Sequence, residues 1–204
     1  MAVVRSMVLT PHMSAAERCV TSRSPTEMPW PPSSDRVMDE ARVFRVRTAE
    51  ADDARAVVEL WGGVAAEGRW ILREAPLDID ATMGEFRDAL ASESAHPVVA
   101  VTSTGRIIGS AIGFDQHPAP ITFGMHVAID QRRHGVGTAL LQSVLAWAGE
   151  RGSHKVVLEV WPHNHAAIAL YERHGFVREG LRPAQYRRRN GELWDALEMG
   201  LHLV

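Results

Sequence analysis

The stretch Val127-Ala128-Ile129-Asp130-Gln131-Arg132-Arg133-His134-Gly135-Val136-Gly137-Thr138 decides the fold. A β-rich run ends inside it, a basic turn with two glycines follows, and an apolar-periodic run begins at Thr138. The order is strand, turn, helix. Unpaired backbone N–H groups at a helix start sit at the positive end of its dipole, so such a turn is ready to hold an anion. Gly135 and Gly137 remove the Cβ atoms that would keep a phosphate from the backbone, and Arg132 and Arg133 add positive charge. The turn lacks both the Lys-Ser/Thr of a Walker loop and the three glycines of the dinucleotide fingerprint. Taken alone, it is equally compatible with a structural turn.

Upstream, Val43 to Arg47 alternates like a strand, and Asp52-Asp53 offers caps for a helix through Val57, Leu60, Trp61 and Val64 that runs out near Gly68. A loop with Trp70, Glu74 and Pro76 leads to a second helix, Ile79 to Ala91. Pro97 to Thr102 and Ile107 to Phe114 read as a hairpin, and Ile121 to Ile129 as the strand entering the basic turn. Downstream, Thr138 to Trp147 is a helix and Lys155 to Trp161 a buried strand. Asn164 to His174 is a helix stopped at Gly175 by a left-handed cap, with Phe176 as its hydrophobic follower. Two β-rich stretches joined at Asn190-Gly191 close the chain. This is a single α/β (α+β) domain without internal repeat.

A second motif follows the first in order: Leu158-Glu159-Val160-Trp161-Pro162-His163-Asn164, a helix with Leu170-Tyr171, then Gly175-Phe176. Asn164 and Tyr171 are seven residues apart, two helical turns, and share a face. The strand–Arg132-x-x-Gly135-x-Gly137–helix frame and this second motif together resemble the GNAT N-acetyltransferases, over residues 43–201. The resemblance implies a mixed, mostly antiparallel central sheet flanked by helices and splayed between its fourth and fifth strands. It implies acetyl-CoA as co-substrate and no metal. Its pyrophosphate would be held by the turn Arg132, Arg133, His134, Gly135, Val136, Gly137 and Thr138, and its pantetheine arm by the backbone of Val127, Ala128 and Ile129. Asn164 and Tyr171 would face its thiol end.

Acetyl transfer needs a neutral nitrogen, whereas a primary amine is mostly protonated at neutral pH. A base must take that proton, and an acid must protonate the departing thiolate. By resemblance Tyr171 is the acid; packing as an ordinary core aromatic is the other reading. Glu159 is the base candidate, because period-2 alternation sets it with Val157 and Trp161, opposite Leu158 and Val160. A carboxylate inside an apolar strand needs a partner or a function. Ribosomal-protein N-terminal acetyltransferases, which share this Leu-Glu-Val strand, imply the latter. A solvated or salt-bridged Glu159 is the alternative, and His126 is the rival base.

The last stretch, with Glu179-Gly180, Arg189-Asn190-Gly191-Glu192 and Asp195-Ala196, resembles family members acting on small amines or amino acids and those acting on ribosomal-protein N-termini. The family's acceptor pocket would draw on Trp70, Glu74 and Tyr186, with Trp70 against an apolar group and Glu74 on an ammonium. A non-catalytic acetyl-CoA sensor is a third class. Arg187 to Arg189 read as the solvated shoulder of a hairpin, with attraction of an anion as the alternative.

Composition narrows the partners. The 204 residues are 46% hydrophobic and 23% charged, with net charge −3, against the basic surplus of general nucleic-acid binders. No run approaches the ~18 apolar residues of a membrane span. The single cysteine, Cys19, excludes an intramolecular disulfide framework and a thiolate-rich zinc site. His163 and His165 lack a third ligand at metal spacing. The expectation is a cytoplasmic protein without nucleic-acid or membrane partner; homodimerisation rests only on its frequency in the family. Residues 1–40 hold five of the 11 prolines and no sustained period, so they read as a loose extension, with translation starting at Met38 as an alternative and 41–204 as the catalytic domain.

Overall fold

A computed structural model describes residues 44–203, so the expectations for residues 1–40, Cys19 and Met38 fall outside the described residues. Seven strands form one sheet: β1 (Phe44–Thr48), β2 (Ala95–Thr102), β3 (Ile107–Phe114), β4 (Ile121–Val127), β5 (Lys155–Val160), β6 (Val177–Arg187) and β7 (Leu193–His202). Their spatial order is β1-β2-β3-β4-β5-β7-β6. All neighbours are antiparallel except β4 and β5, which run parallel and pair only at Ile121 with Val156 and Thr122 with Val157. Beyond those two pairs the strands part. The sheet is split where the family pattern required it.

Helices α1 (Ala54–Ala66) and α2 (Ile79–Ala91) cover one face; α3 (Val136–Glu150) and α4 (His165–Arg173) cover the other. On the first face Val57, Trp61 and Phe86 pack on Val99, Val101 and Ile112. On the second, Leu140, Leu141 and Val144 from α3 and Ile168 from α4 meet Ile108, Ile121, Phe123, Leu158 and Met199. Parallel strands need a crossover, and α3 supplies it between β4 and β5. It lies unusually close to β3. A Cβ on Gly109 would come 2.8 Å from Val136 Cγ1 and 2.9 Å from Leu140 Cδ1, and one on Gly113 2.8 Å from the Trp147 ring.

The helix α2 has the bounds its periodicity gave. Two others moved. The strand expected to reach Ile129 ends at Val127, where Ile129–Gln131 form a 3-10 turn, and α3 starts at Val136 rather than Thr138. The Asn190-Gly191 hairpin is not a two-residue loop. Arg188 N–H donates to the Glu192 carbonyl at 2.8 Å, Gly191 N–H to the Arg188 carbonyl at 2.9 Å, and Gly191 has φ +90°. That is a three-residue loop in which glycine takes the left-handed position.

Candidate active site

The basic turn leaves donors open. Gly135, at φ +83°, precedes α3 with no side chain capping the helix, and nothing lies within 4 Å of where its Cβ would stand. The first backbone bond at this end runs from Ala139 N–H to the Gly135 carbonyl, so the N–H groups of Val136, Gly137 and Thr138 carry no intrahelical partner. The turn therefore fits a diphosphate by its backbone. Two side-chain expectations change. A Cβ on Gly137 would point at Leu170 Cδ2, 3.3 Å away, so this glycine lets α3 and α4 meet rather than clearing space for phosphate. Val136 is buried against β3.

Arg132 is committed to partners other than a diphosphate. Its Nη1 and Nη2 donate to Glu67 at 2.8 and 2.5 Å, and its Nε to the Val127 carbonyl at 3.2 Å. That bond holds the Glu67 carboxyl below the usual range, and Trp70 Nε1 adds a third donor at 2.7 Å. Glu67 opens the connection from α1 to α2, residues 67–77, which crosses the open end of the split. His163, after β5, binds the Arg69 carbonyl at 2.8 Å through Nε2. From the β6–β7 hairpin, Arg188 Nη1 donates to the carbonyls of Ile71 (3.2 Å) and Leu72 (2.9 Å), Arg189 N–H to Glu74 (3.0 Å), and Arg189 Nη1 to the Ala75 carbonyl (3.0 Å). Arg188 is only 4% exposed, its guanidinium 4.5 Å from the Trp194 ring centre and 5.8 Å from that of Trp161. The solvated reading holds for exposed Arg187 and Arg189 and fails for Arg188. Glu74 is engaged by the hairpin, so an ammonium there would share its carboxylate with the Arg189 N–H.

Glu159 lies half-buried on the face that alternation gave it, while Leu158 and Val160 enter the core. Both its oxygens are engaged: Arg182 Nη1 donates to Oε1 at 2.6 Å and the Tyr186 hydroxyl donates to Oε2. Arg182 also binds Glu198, the residue paired with Glu159 across β5 and β7. Burial and the Glu159 carboxylate push the Tyr186 hydroxyl up to about 12. Trp161 packs edge-on against Tyr186 and Trp194 at 5.5 and 5.2 Å.

Tyr171 is buried among Phe123 and Phe176, with ring centres 5.9 and 5.7 Å away. Its backbone is fixed by the helix end: Phe176 N–H donates to the Tyr171 carbonyl at 3.1 Å and Gly175 N–H to Glu172 at 3.0 Å, with Gly175 at φ +88°. This is the Schellman closure, with Phe176 against Tyr171 as its apolar contact. Burial raises the phenol's pKa well above its usual value, so it stays protonated at neutral pH. At the other end of α4 the Asn164 side-chain oxygen accepts from Ala167 N–H at 3.2 Å. Asn164 thereby caps the helix.

His126, on β4, stacks obliquely on Trp61 at 5.2 Å, and Trp61 Nε1 donates to Ser110, the residue opposite His126 on β3, at 2.8 Å. The His126 residue keeps partial exposure, yet its Nδ1 is sealed and without partner. Burial, helped by the Arg73 charge, lowers its pKa to about 4, so it is neutral at pH 7. Among the described residues no cluster of three His, Cys, Asp or Glu could hold a metal, and no helix is long and apolar enough to cross a membrane.

A split sheet with an open helix start beside it is the arrangement that the GNAT resemblance implies. Residues 65–176 match the acetyltransferase (GNAT) family, and the chain belongs to that family. It is an acetyltransferase by that membership. It is 28% identical over 163 residues to the L-methionine sulfoximine/L-methionine sulfone acetyltransferase of Pseudomonas paraeruginosa, covering 78% of this chain and 94% of the relative. It is 35% identical over 101 residues to the ribosomal protein bS18-alanine N-acetyltransferase of Escherichia coli, covering 50% of this chain and 68% of that enzyme. In fold it resembles the phosphinothricin acetyltransferase of Sinorhizobium meliloti solved with acetyl-CoA, at TM-score 0.71 and 22% identity, covering 79% of this chain and 89% of that one.

The sequence reading missed Glu67, Arg182 and Arg188. None of the three left a local signal: Arg188 lies past the end of β6 at Arg187, where period-2 alternation no longer applies.

Proposed function

We propose that this protein transfers the acetyl group of acetyl-CoA directly to the primary amine of a small molecule or an amino acid. One observation carries the reading: the 67–77 connection is tied to the hairpin tip by Arg188, Arg189 and Glu74, which walls the acceptor side where a peptide would need an open groove. The nearly full-length match to an acetyltransferase of modified methionine supports it.

Acetyl-CoA supplies an activated thioester. The amides of Val136, Gly137 and Thr138 hold its diphosphate, with Arg133 and His134 beside them, and the freed end of β4, Val127 to Ile129, pairs with its arm. Tyr171, protonated and oriented by the Schellman closure, gives its proton to the leaving sulfur. The acceptor's ammonium passes its proton to the Tyr186 oxygen while the Tyr186 proton moves onto Glu159. Glu159 is thus the base, acting through Tyr186, and Arg182 holds the carboxylate in line. Trp70 and Trp161 offer the acceptor apolar walls.

The test is thiol release from acetyl-CoA with L-methionine sulfone, L-methionine sulfoximine, phosphinothricin and a peptide carrying the bS18 N-terminus. Release with a small amine is expected. Release with the peptide alone favours a protein N-terminal acetyltransferase, and CoA binding without any release favours a sensor. An unchanged pH–rate profile for Glu159→Gln would remove Glu159 as the base.

A further inference from the structure

Arg132 opens the family's turn motif, and the resemblance gives it to the diphosphate. The geometry points elsewhere. We propose that Arg132 is a positioning residue: with Glu67 it fastens the co-substrate turn to the 67–77 connection and so holds the acceptor side in place. This extends the proposed function, since it takes that connection to be the acceptor wall.

All three guanidinium nitrogens of Arg132 are committed, two to Glu67 and one to the Val127 carbonyl. Bidentate pairing of a guanidinium with a carboxylate is among the strong, charge-assisted hydrogen-bond arrangements in proteins. It is partly shielded here, with side-chain exposures of 30% for Arg132 and 19% for Glu67. Turning Arg132 toward a diphosphate would break all three bonds. It would also leave Glu67 half-buried with only Trp70 as donor, and uncompensated charge away from water is costly. The next residue is the opposite case. Arg133 is exposed, sits at φ +68°, and makes no hydrogen bond or ion pair among the described residues. The turn therefore divides its labour: Arg133, His134 and the open amides face the anion, and Arg132 faces the acceptor connection.

Arg132 also holds two elements that border the split. Its Nε bond holds the last carbonyl of β4 at the split, and its Glu67 bond sets where the connection leaves α1. The other attachments, His163 to Arg69 and Arg188 to Ile71 and Leu72, come from the β5–β7 half of the sheet. Arg132 attaches the connection to the β1–β4 half.

The experiment compares Arg132→Ala, Glu67→Ala, their double variant and Arg133→Ala. CoA affinity is measured by calorimetry at low and high salt, and hydrogen exchange is followed on amides 67–77. Breaking a charged, partly shielded pair should speed exchange in 67–77 about tenfold in either single variant, with no further gain in the double. CoA affinity should stay within about twofold of wild type in all three, while Arg133→Ala weakens CoA about fivefold, loses salt dependence and leaves exchange unchanged. Should Arg132→Ala fail to fold, Arg132→Gln replaces it, since a side-chain amide can still donate one bond. A tenfold loss of CoA affinity in the Arg132 variant, with unchanged exchange in Glu67→Ala, would overturn the proposal. Neither readout involves an acceptor, so a wrong acceptor class would show in thiol release and leave this result standing.

Discussion

Two helices begin beside the split, one on each side, and they begin differently. Helix α4 is closed at its start by the Asn164 side chain and at its end by Gly175 and Phe176. Helix α3 starts from a left-handed glycine with no capping side chain. An uncapped start costs stability wherever solvent or a ligand does not satisfy its amides. The contrast separates the tasks of the two motifs: in the proposed function α3 keeps donors open for an anion, and the caps of α4 hold Tyr171 still.

Breaking α4's task should cost most. Tyr171→Phe keeps the packing with Phe123 and Phe176 and removes only the proton, so turnover should fall about 10³-fold while CoA affinity stays within about twofold. Full activity would reduce Tyr171 to a core aromatic and erase the contrast. The second effect lies on the α3 side, in β4. His126 has a folded pKa of about 4 against an ordinary 6.5, so below pH 6.5 the unfolded chain takes up a proton that the native one refuses. Its contribution is fully present above pH 6.5 and is lost as pH falls through the window to 4, by about 3 kcal/mol in all. Melting temperatures across that window should show a shallower slope for His126→Gln; half-buried His96, also lowered, leaves a residual slope in both proteins. Third, Gly135→Ala meets no clash and pays only for its left-handed backbone, about 1–2 kcal/mol. That strain should appear as weaker CoA binding, about tenfold, because the turn is what it distorts. The smallest effect sharpens the comparison from the other helix. Asn164→Ala should lower stability by about 1 kcal/mol in denaturant melts and leave CoA binding unchanged. A larger loss in binding than in stability would give Asn164 a second role toward the ligand.

The frame of the site was readable because it is local. Period, cap and glycine signals put α2 at Ile79–Ala91 and the α4 closure at Gly175-Phe176, and the two motifs set the split between β4 and β5. The connections across it were not readable. Arg132 and Glu67 are 65 residues apart, His163 and Arg69 94, and Arg188 and Leu72 116. Apart from Leu72, which offers its backbone carbonyl, each partner is a charged or polar residue in a loop or strand end, where the local pattern says only that it is solvated. Glu159 shows the boundary well. Its strand announced that it needed a partner or a function, but Arg182 and Tyr186 come from β6, whose register shifts between Arg182 and Tyr186 and whose Ala184 takes φ +53°. An irregularity of that kind has no signature in a period-2 reading.

The split between β4 and β5 is bounded on every side. Two backbone pairs at Ile121 and Thr122 close one end, the two strands form the long edges, and the 67–77 connection crosses the other end. Such a frame is a window rather than a notch. Under the proposed reaction the thioester arm comes to it from one face and the amine from the other, so each product retreats by the door its precursor used. Neither has to wait for the other to clear a shared exit. A bulky acceptor is then limited by the size of the window, not by the size of the pocket in front of it.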